Sequence, residues 1–216
     1  MTEALIDRYD AALFDLDGVL YLGPVAVPGA AEGVAGLRER GVKLGFVTNN
    51  AARPPEAVTE QLTALGMPCV AEDVVTSGQA LIAMLRRELP AGSKVFVAGT
   101  QALADQATAA GFQVVGSFRD EPVAVLQGYH PHAGWQMFNE AAHAIQRGAV
   151  WYASNTDSTR PNELGLVPGA GSQIGVVATS VEVTPRVAGK PYPQLLNETV
   201  LRLCRLYTSD AADDTR

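Results

Sequence analysis

A chain of 216 residues, 47% hydrophobic and 18% charged, has enough apolar material for one large buried core or two small ones, and this composition excludes a disordered chain. Its net charge of −7 and pI near 4.9 argue against nucleic acid or an anionic membrane as the main partner. No apolar run reaches transmembrane length, the first residues lack a basic signal-type region, and Cys69 and Cys204 stand in no metal or redox spacing. The expectation is a reduced, cytoplasmic protein.

In chain order, Ala11-Ala12-Leu13-Phe14-Asp15 is a short apolar run ending in a polar loop, the pattern of a buried strand. Helical spacing over 30–40 stops at Gly41, and 42–47 is a second buried strand ending at Thr48-Asn49-Asn50. Pro54 and Pro55 open a helix that stops at Gly66. Residues 74–75 read as a strand and 79–89 as a helix, followed by the loop Pro90-Ala91-Gly92. A second cycle places strands at 94–98, 113–115, 122–126 and 149–153, with helices at 100–110 and 135–147. Residues 165–171 read as loop, 175–179 as the beginning of a helix, and 192–205 as the last helix. Strands alternating with helices predict an α/β fold with parallel sheets, and two successive cycles predict a core with an inserted domain.

The strongest chemical signal is Asp15-Leu16-Asp17-Gly18-Val19-Leu20-Tyr21 at the end of the first strand. Residues two apart on a strand share a side, so Asp15 and Asp17 face one crevice at a carboxyl end. Two carboxylates this close repel unless a cation lies between them, and Mg²⁺ combines well with one or two carboxylates and a phosphate. Gly18 lets the backbone approach an anion, and neighbouring N–H groups there are candidates for an anion nest. Taken alone, Asp-x-Asp-Gly is equally a pair of turn aspartates. Phe46-Val47-Thr48-Asn49-Asn50, at the second strand end, offers a hydroxyl and backbone N–H groups; alone it is an ordinary polar loop. Gly189-Lys190-Pro191 precedes the last helix, with Pro191 expected in its first turn and Lys190 at its positive end. Alone, Lys190 is a solvated side chain.

In this order, Asp-Leu-Asp-Gly-Val-Leu-Tyr, Val-Thr-Asn-Asn-Ala and Gly-Lys-Pro resemble the first three motifs of the haloacid dehalogenase phosphatases, in the NagD-like, p-nitrophenylphosphatase-like class IIA branch. The resemblance covers residues 9–204. It implies a Rossmann-like three-layer core over 1–81 and 185–205, with an α/β cap inserted at 82–184. It implies Asp15 as nucleophile, Asp17 as acid and then base, and Mg²⁺ held by the Asp15 carboxylate and the Asp17 carbonyl. Gly18, Thr48 and Asn49 would hold the phosphoryl oxygens and Lys190 would offset charge. Asn155, Asp157 and Arg160 lie where the family's cap touches the leaving group. The partner implied is a small phosphorylated metabolite, and the cap is the surface for a homo-oligomer.

Residues 149–171 and 185–191 look most like glycerol-3-phosphate phosphatases. A nucleoside monophosphate, phosphoglycolate or pyridoxal phosphate is the alternative substrate. A glycosyltransferase-type Asp-x-Asp site, which gives Thr48 and Lys190 no role, is the alternative of another class, and an inactive fragment is the third. The family's fourth motif, a Gly-Asp with further acidic residues after a buried strand, has no counterpart. Asp213 has a suitable distance from Lys190 but no apolar strand before it, so it is not expected to be a ligand. Residues 206–216 read as a non-native tail resembling a translated library adapter. The strand 11–15 is then expected at the sheet edge, and activity and solubility are expected to suffer. His130 and His132 flank Pro131 with no third ligand in view and read as surface loop, and Trp135 and Trp151 read as packing.

Overall fold

The computed structural model of the protein describes residues 5–162 and 164–213, with side chains described as far as residue 204. The chain divides into two compact units, one of residues 1–48, 55–75 and 196–216, the other of 49–54 and 76–195.

In the first unit, β1 (Ala11–Asp15) leads into a small antiparallel hairpin, β2 (Tyr21–Leu22) with β3 (Val25–Ala26), then α1 (Ala30–Glu39), β4 (Lys43–Thr48), α2 (Pro55–Ala64) and β5 (Val74–Thr76). The sheet order is β1-β4-β5, and β1 runs parallel to β4 with Ala11 opposite Lys43 and Asp15 opposite Val47. β4 is central and covered on both faces, so Leu44, Gly45, Phe46, Val47 and Thr48 are all buried. β1 is the edge strand. Its residues alternate, Ala11, Leu13 and Asp15 exposed, Ala12 and Phe14 half-buried. Gly45 lets the two strands pack, because a Cβ there would lie 2.7 Å from Leu13 Cδ2 and 3.1 Å from Thr199 Cγ2. Leu16, Leu20, Val34, Phe46, Leu62 and Met67 belong to this unit's core.

The second unit continues with α3 (Ser77–Glu88), β6 (Lys94–Ala98), α4 (Gln101–Ala109), β7 (Gln113–Val115), β8 (Ala124–Gln127), α5 (Trp135–Gln146), β9 (Val150–Ala153), β10 (Thr159–Asn162), β11 (Gly165–Pro168), α6 (Ala170–Ala178) and β12 (Arg186–Val187). Its parallel sheet has the order β12-β9-β8-β6-β7, and β10 and β11 form a separate antiparallel hairpin. The last helix, α7 (Gln194–Asp213), starts here and passes into the first unit at Leu196. Phe96, Val125, Ile145, Trp151 and Val177 anchor the second core.

The α/β expectation holds, and several local expectations are corrected. The helix read at 79–89 starts earlier, because Thr76 caps it: its hydroxyl accepts from Gln79 N–H, and Gln79 Oε1 accepts from Thr76 N–H. Residues 165–171 are not a loop but β11 and the first turn of α6, and 175–179 is where that helix ends. Its glycines serve close packing: a Cβ on Gly169 would sit 2.3 Å from Asp157 O, and one on Gly171 2.3 Å from Thr156 O. Pro191 is not in the first turn of the last helix, which begins at Gln194, so Lys190 lies in the preceding loop. That helix extends to Asp213 rather than stopping at 205. Trp151 packs inside, but Trp135 is 73% exposed beside Phe138.

Tyr152 is buried on β9 and donates its hydroxyl to Glu88 Oε2 at 2.7 Å, and the same carboxylate takes the Arg186 guanidinium. Burial first, then the hydrogen bond to Glu88, push the phenol up to about 12. The folded chain therefore keeps this proton where the unfolded chain, with a phenol near 10, loses it. The Tyr152 contribution is intact below pH ~10 and is lost as pH rises from there through the folded value. Urea unfolding midpoints measured from pH 8 upward are expected to fall more steeply above pH ~10 in the wild type than in Tyr152→Phe; parallel profiles refute the assignment.

Candidate active site

At the end of β1 the chain turns sharply. Leu16 is fully buried and pins the turn, and its carbonyl accepts from the N–H groups of Val19, Leu20 and Tyr21 at 3.2, 2.9 and 3.3 Å. Gly18 adopts φ +81°, a left-handed value that suits glycine. Its N–H donates to Tyr21 O at 2.8 Å, so this amide closes the turn. Leu16 N–H donates to Asp15 Oδ1 at 2.9 Å and orients that carboxylate. Asp15, Asp17 and Gly18 are exposed, while Leu16 and Leu20 are buried beneath them. Thr48, the last residue of β4, is buried at the carboxyl end of the strand beside Asp15. Parallel sheets bind ligands beyond such carboxyl ends.

The Asp15 carboxylate and the Asp17 main-chain carbonyl are hard oxygen donors, the kind Mg²⁺ takes while keeping water in the rest of its shell. Among the described residues no group of three His, Cys, Asp or Glu side chains is placed to hold a metal. Asp213 and the tail read at 206–216 lie outside the described side chains.

The remaining candidates belong to the second unit. β9 runs out at Ala153 into Ser154 and Asn155, and β12 runs out beside it into Ala188, Gly189 and Lys190, with Ala188 N–H donating to Ala153 O at 3.0 Å. Asn49 meets both strand ends. Its Oδ1 accepts from Lys190 N–H at 2.8 Å, and its Nδ2 donates to Lys190 O at 3.1 Å and to the Asp157 carboxylate at 3.0 and 3.2 Å. The Asn49 carbonyl accepts from Asn155 Nδ2 at 2.6 Å and from Ser77 Oγ at 2.5 Å. Asn155 is buried, and its Oδ1 accepts from Asp157 N–H at 3.1 Å. Asn49, Asn155, Asp157 and Lys190 are thus brought into one hydrogen-bonded cluster.

Arg160 stands apart on β10. Its guanidinium donates to the Tyr129 hydroxyl at 3.0 Å and lies 4.7 Å from that ring's centroid. Tyr129 and Ser77 carried no motif, and only the folded chain pairs them with these candidates. His132 N–H donates to His130 Nδ1 at 3.0 Å, and the His130 main chain exchanges hydrogen bonds with the Gln173 amide. This is the surface loop expected of the pair.

The family model described as haloacid dehalogenase-like hydrolase matches residues 12–113. A D-glycerol 3-phosphate phosphatase of Mycobacterium tuberculosis is 42% identical over 200 residues, covering 93% of this chain and 56% of that protein. An acid sugar phosphatase of Staphylococcus saprophyticus is 33% identical over 207 residues, covering 95% of this chain and 78% of that protein. The crystal structure of a Mycobacterium tuberculosis glycerol phosphate phosphatase in complex with magnesium superposes with a TM-score of 0.88 at 41% identity, over 93% of this chain and 60% of that one. The chain therefore spans little more than half the length of the mycobacterial relative.

Gly189 is the steric condition of the Asn49 cluster. A Cβ there would lie 2.6 Å from Ser154 O, 2.8 Å from Asn155 Cβ and 2.8 Å from Asn49 Oδ1, none of them the end of a long flexible side chain. Gly189→Ala is expected to lower the unfolding free energy by about 1–3 kcal/mol, as overpacking does. Gly116→Ala, where a Cβ meets nothing within 4 Å, is the control. Equal denaturant midpoints for the two variants would contradict this.

Proposed function

The chain belongs to the haloacid dehalogenase-like hydrolases, and on that premise we propose that it carries out Mg²⁺-dependent hydrolysis of a small phosphomonoester, with glycerol 3-phosphate the first candidate. The observation that carries the reading is the placement of Asp15-Leu16-Asp17-Gly18 at the carboxyl end of β1, beside Thr48 at the end of β4.

In this reading an Asp15 carboxylate oxygen attacks phosphorus, the P–O ester bond breaks, and Asp17 gives its proton to the departing alkoxide. Asp17, now a carboxylate, takes a proton from water; the resulting hydroxide attacks phosphorus and releases phosphate from Asp15. The Leu16 N–H holds the Asp15 carboxylate in one orientation through both steps. Mg²⁺, held by the Asp15 carboxylate and the Asp17 carbonyl, supplies neutralisation of phosphoryl charge when bound. Thr48 donates to phosphoryl oxygens and Lys190 offsets their charge. Residues 82–184 form the cap, and Arg160, exposed and steadied by Tyr129, reads the leaving group. No helix among the described residues is long and apolar enough to cross a membrane, and Cys69 and Cys204, in no metal or redox spacing, fit a reducing, cytoplasmic setting.

Phosphate release from a panel of esters, with Mg²⁺ and with chelator, tests the reading. Metal-dependent turnover is expected, highest on glycerol 3-phosphate, and metal-independent release or none contradicts it. Asp15→Asn is expected to abolish turnover with an unchanged circular dichroism spectrum, since an amide is no nucleophile; near-normal rates would remove Asp15 from its role. Arg160→Ala is expected to lower kcat/KM on glycerol 3-phosphate about tenfold relative to p-nitrophenyl phosphate, within the range single pocket contacts give. Equal losses on both esters would count against a specificity role.

A further inference from the structure

We propose that Asn49 and Asp157 are positioning residues for Lys190, and that Asn49 does not bind the phosphoryl group through its side chain. The inference deepens the phosphatase reading and rests on it for the role of Lys190.

A side-chain amide has two N–H donors on Nδ2 and an acceptor at Oδ1. Phosphoryl oxygens accept hydrogen bonds, so a direct Asn49 side-chain contact would have to come from Nδ2. Both of its hydrogens are already placed, one on Lys190 O at 3.1 Å and one on the Asp157 carboxylate at 3.0 and 3.2 Å. Oδ1 takes Lys190 N–H at 2.8 Å, and the reversed amide would set a donor against that N–H, which fixes its orientation. Asn49 thereby engages both main-chain groups of Lys190, as a neighbouring strand would engage one residue of a ladder.

The Asp157 carboxylate is the third arm. An acceptor-only carboxylate is poorly suited to touch a phosphoryl oxygen, but it is well suited to hold Nδ2, and a charged acceptor makes the stronger bond. Asn155 and Ser77 close the frame by donating to the Asn49 carbonyl. Gly189 leaves the space in which Asn49 Oδ1 reaches the following amide. A lysine ammonium sits at the end of a flexible four-carbon stem, so its placement depends on how firmly its main chain is held. Asn49 also follows Thr48 directly in the chain, so the residue that holds Lys190 is covalently next to a candidate phosphate donor.

Two arms test this. In amide hydrogen exchange on the full 216-residue chain, Asn49→Ala and Asp157→Ala are expected to speed exchange of the Lys190 amide at least tenfold, with residues of β8 unchanged. Asp157→Asn, which keeps an acceptor oxygen, is expected to retain most of the protection. Unchanged Lys190 exchange in Asn49→Ala overturns the inference. Should Asn49→Ala fail to fold, the contrast between Asp157→Asn and Asp157→Ala decides in its place, and equal exchange in those two overturns it. In the kinetic arm, Asn49→Ala is expected to lower kcat on p-nitrophenyl phosphate roughly 10–100-fold, the scale of a displaced catalytic group. In a Lys190→Ala background the same change is expected to cost nothing further. Losses that multiply would restore Asn49 as a direct ligand. If the wild-type chain releases phosphate from no ester, the phosphatase reading fails, and the exchange arm still decides whether Asn49 and Asp157 hold Lys190.

Discussion

The parallel pairing of β1 with β4 is the constraint from which the first unit's chemistry follows. With Asp15 opposite Val47, the two strands finish at Asp15 and Thr48 on the same carboxyl end of the sheet. A slip of one residue would turn Asp15 to the opposite face and Phe14 away from Phe46, whose ring centroid lies 6.3 Å from it. Burial enforces the register: β4 has no polar face on which it could be shifted, and Gly45 admits Leu13 at one position only. Beyond the strand ends, Leu16 and Leu20 are drawn into the core, so the aspartates on either side of Leu16 remain outside it. The exposure of Asp15 and Asp17 is thus a consequence of apolar neighbours being buried.

In the second unit, close backbone approach plays the corresponding part. Gly169, Gly171 and Gly189 each stand where a Cβ would collide with main-chain atoms of residues 154–159. The three together hold that loop between the start of α6 and the end of β12. Asn155 and Asp157 then point their polar groups at Asn49 because the loop has little freedom to do otherwise. The buried Asn155 amide is matched donor to acceptor, as buried polar groups generally are. The buried Gln127 follows the same rule, accepting from Trp151 Nε1 and donating to Gln173 O.

Charge is paired locally within an acidic whole. Arg186 and Glu88 neutralise each other beside Tyr152, and Arg202 and Glu198 pair along α7. Arg160 is steadied by a neutral phenol instead of a carboxylate, which leaves its positive charge uncompensated by that partner. A net charge of −7 therefore describes the surface average, while the local field at a polar loop is set by the few side chains that meet there.

The sequence by itself determined β1 and β4 to β9, most helices, the α/β class and the three motifs, because each depends on local periodicity, on turn residues, or on chemistry carried within a few consecutive positions. The Asp15-Leu16-Asp17-Gly18 turn was legible for that reason, as were the ends of β1 and β4. The role of a glycine was not: Gly165, Gly169 and Gly171 signal loop when read along the chain, yet Gly165 at φ +132° begins the second strand of a hairpin, and Gly169 and Gly171 stand at a helix start against which residues 156–159 pack. The partners of Asn49 were equally hidden, since Asp157 and Lys190 lie 108 and 141 residues away and no spacing rule links them. The Tyr129 partner of Arg160 and the exposure of Trp135 belong to the same class. Local chemistry is written in order along the chain, whereas the partner of a hydrogen-bonding group and the space around a Cα exist only after distant segments have packed, and only the tertiary structure decides them.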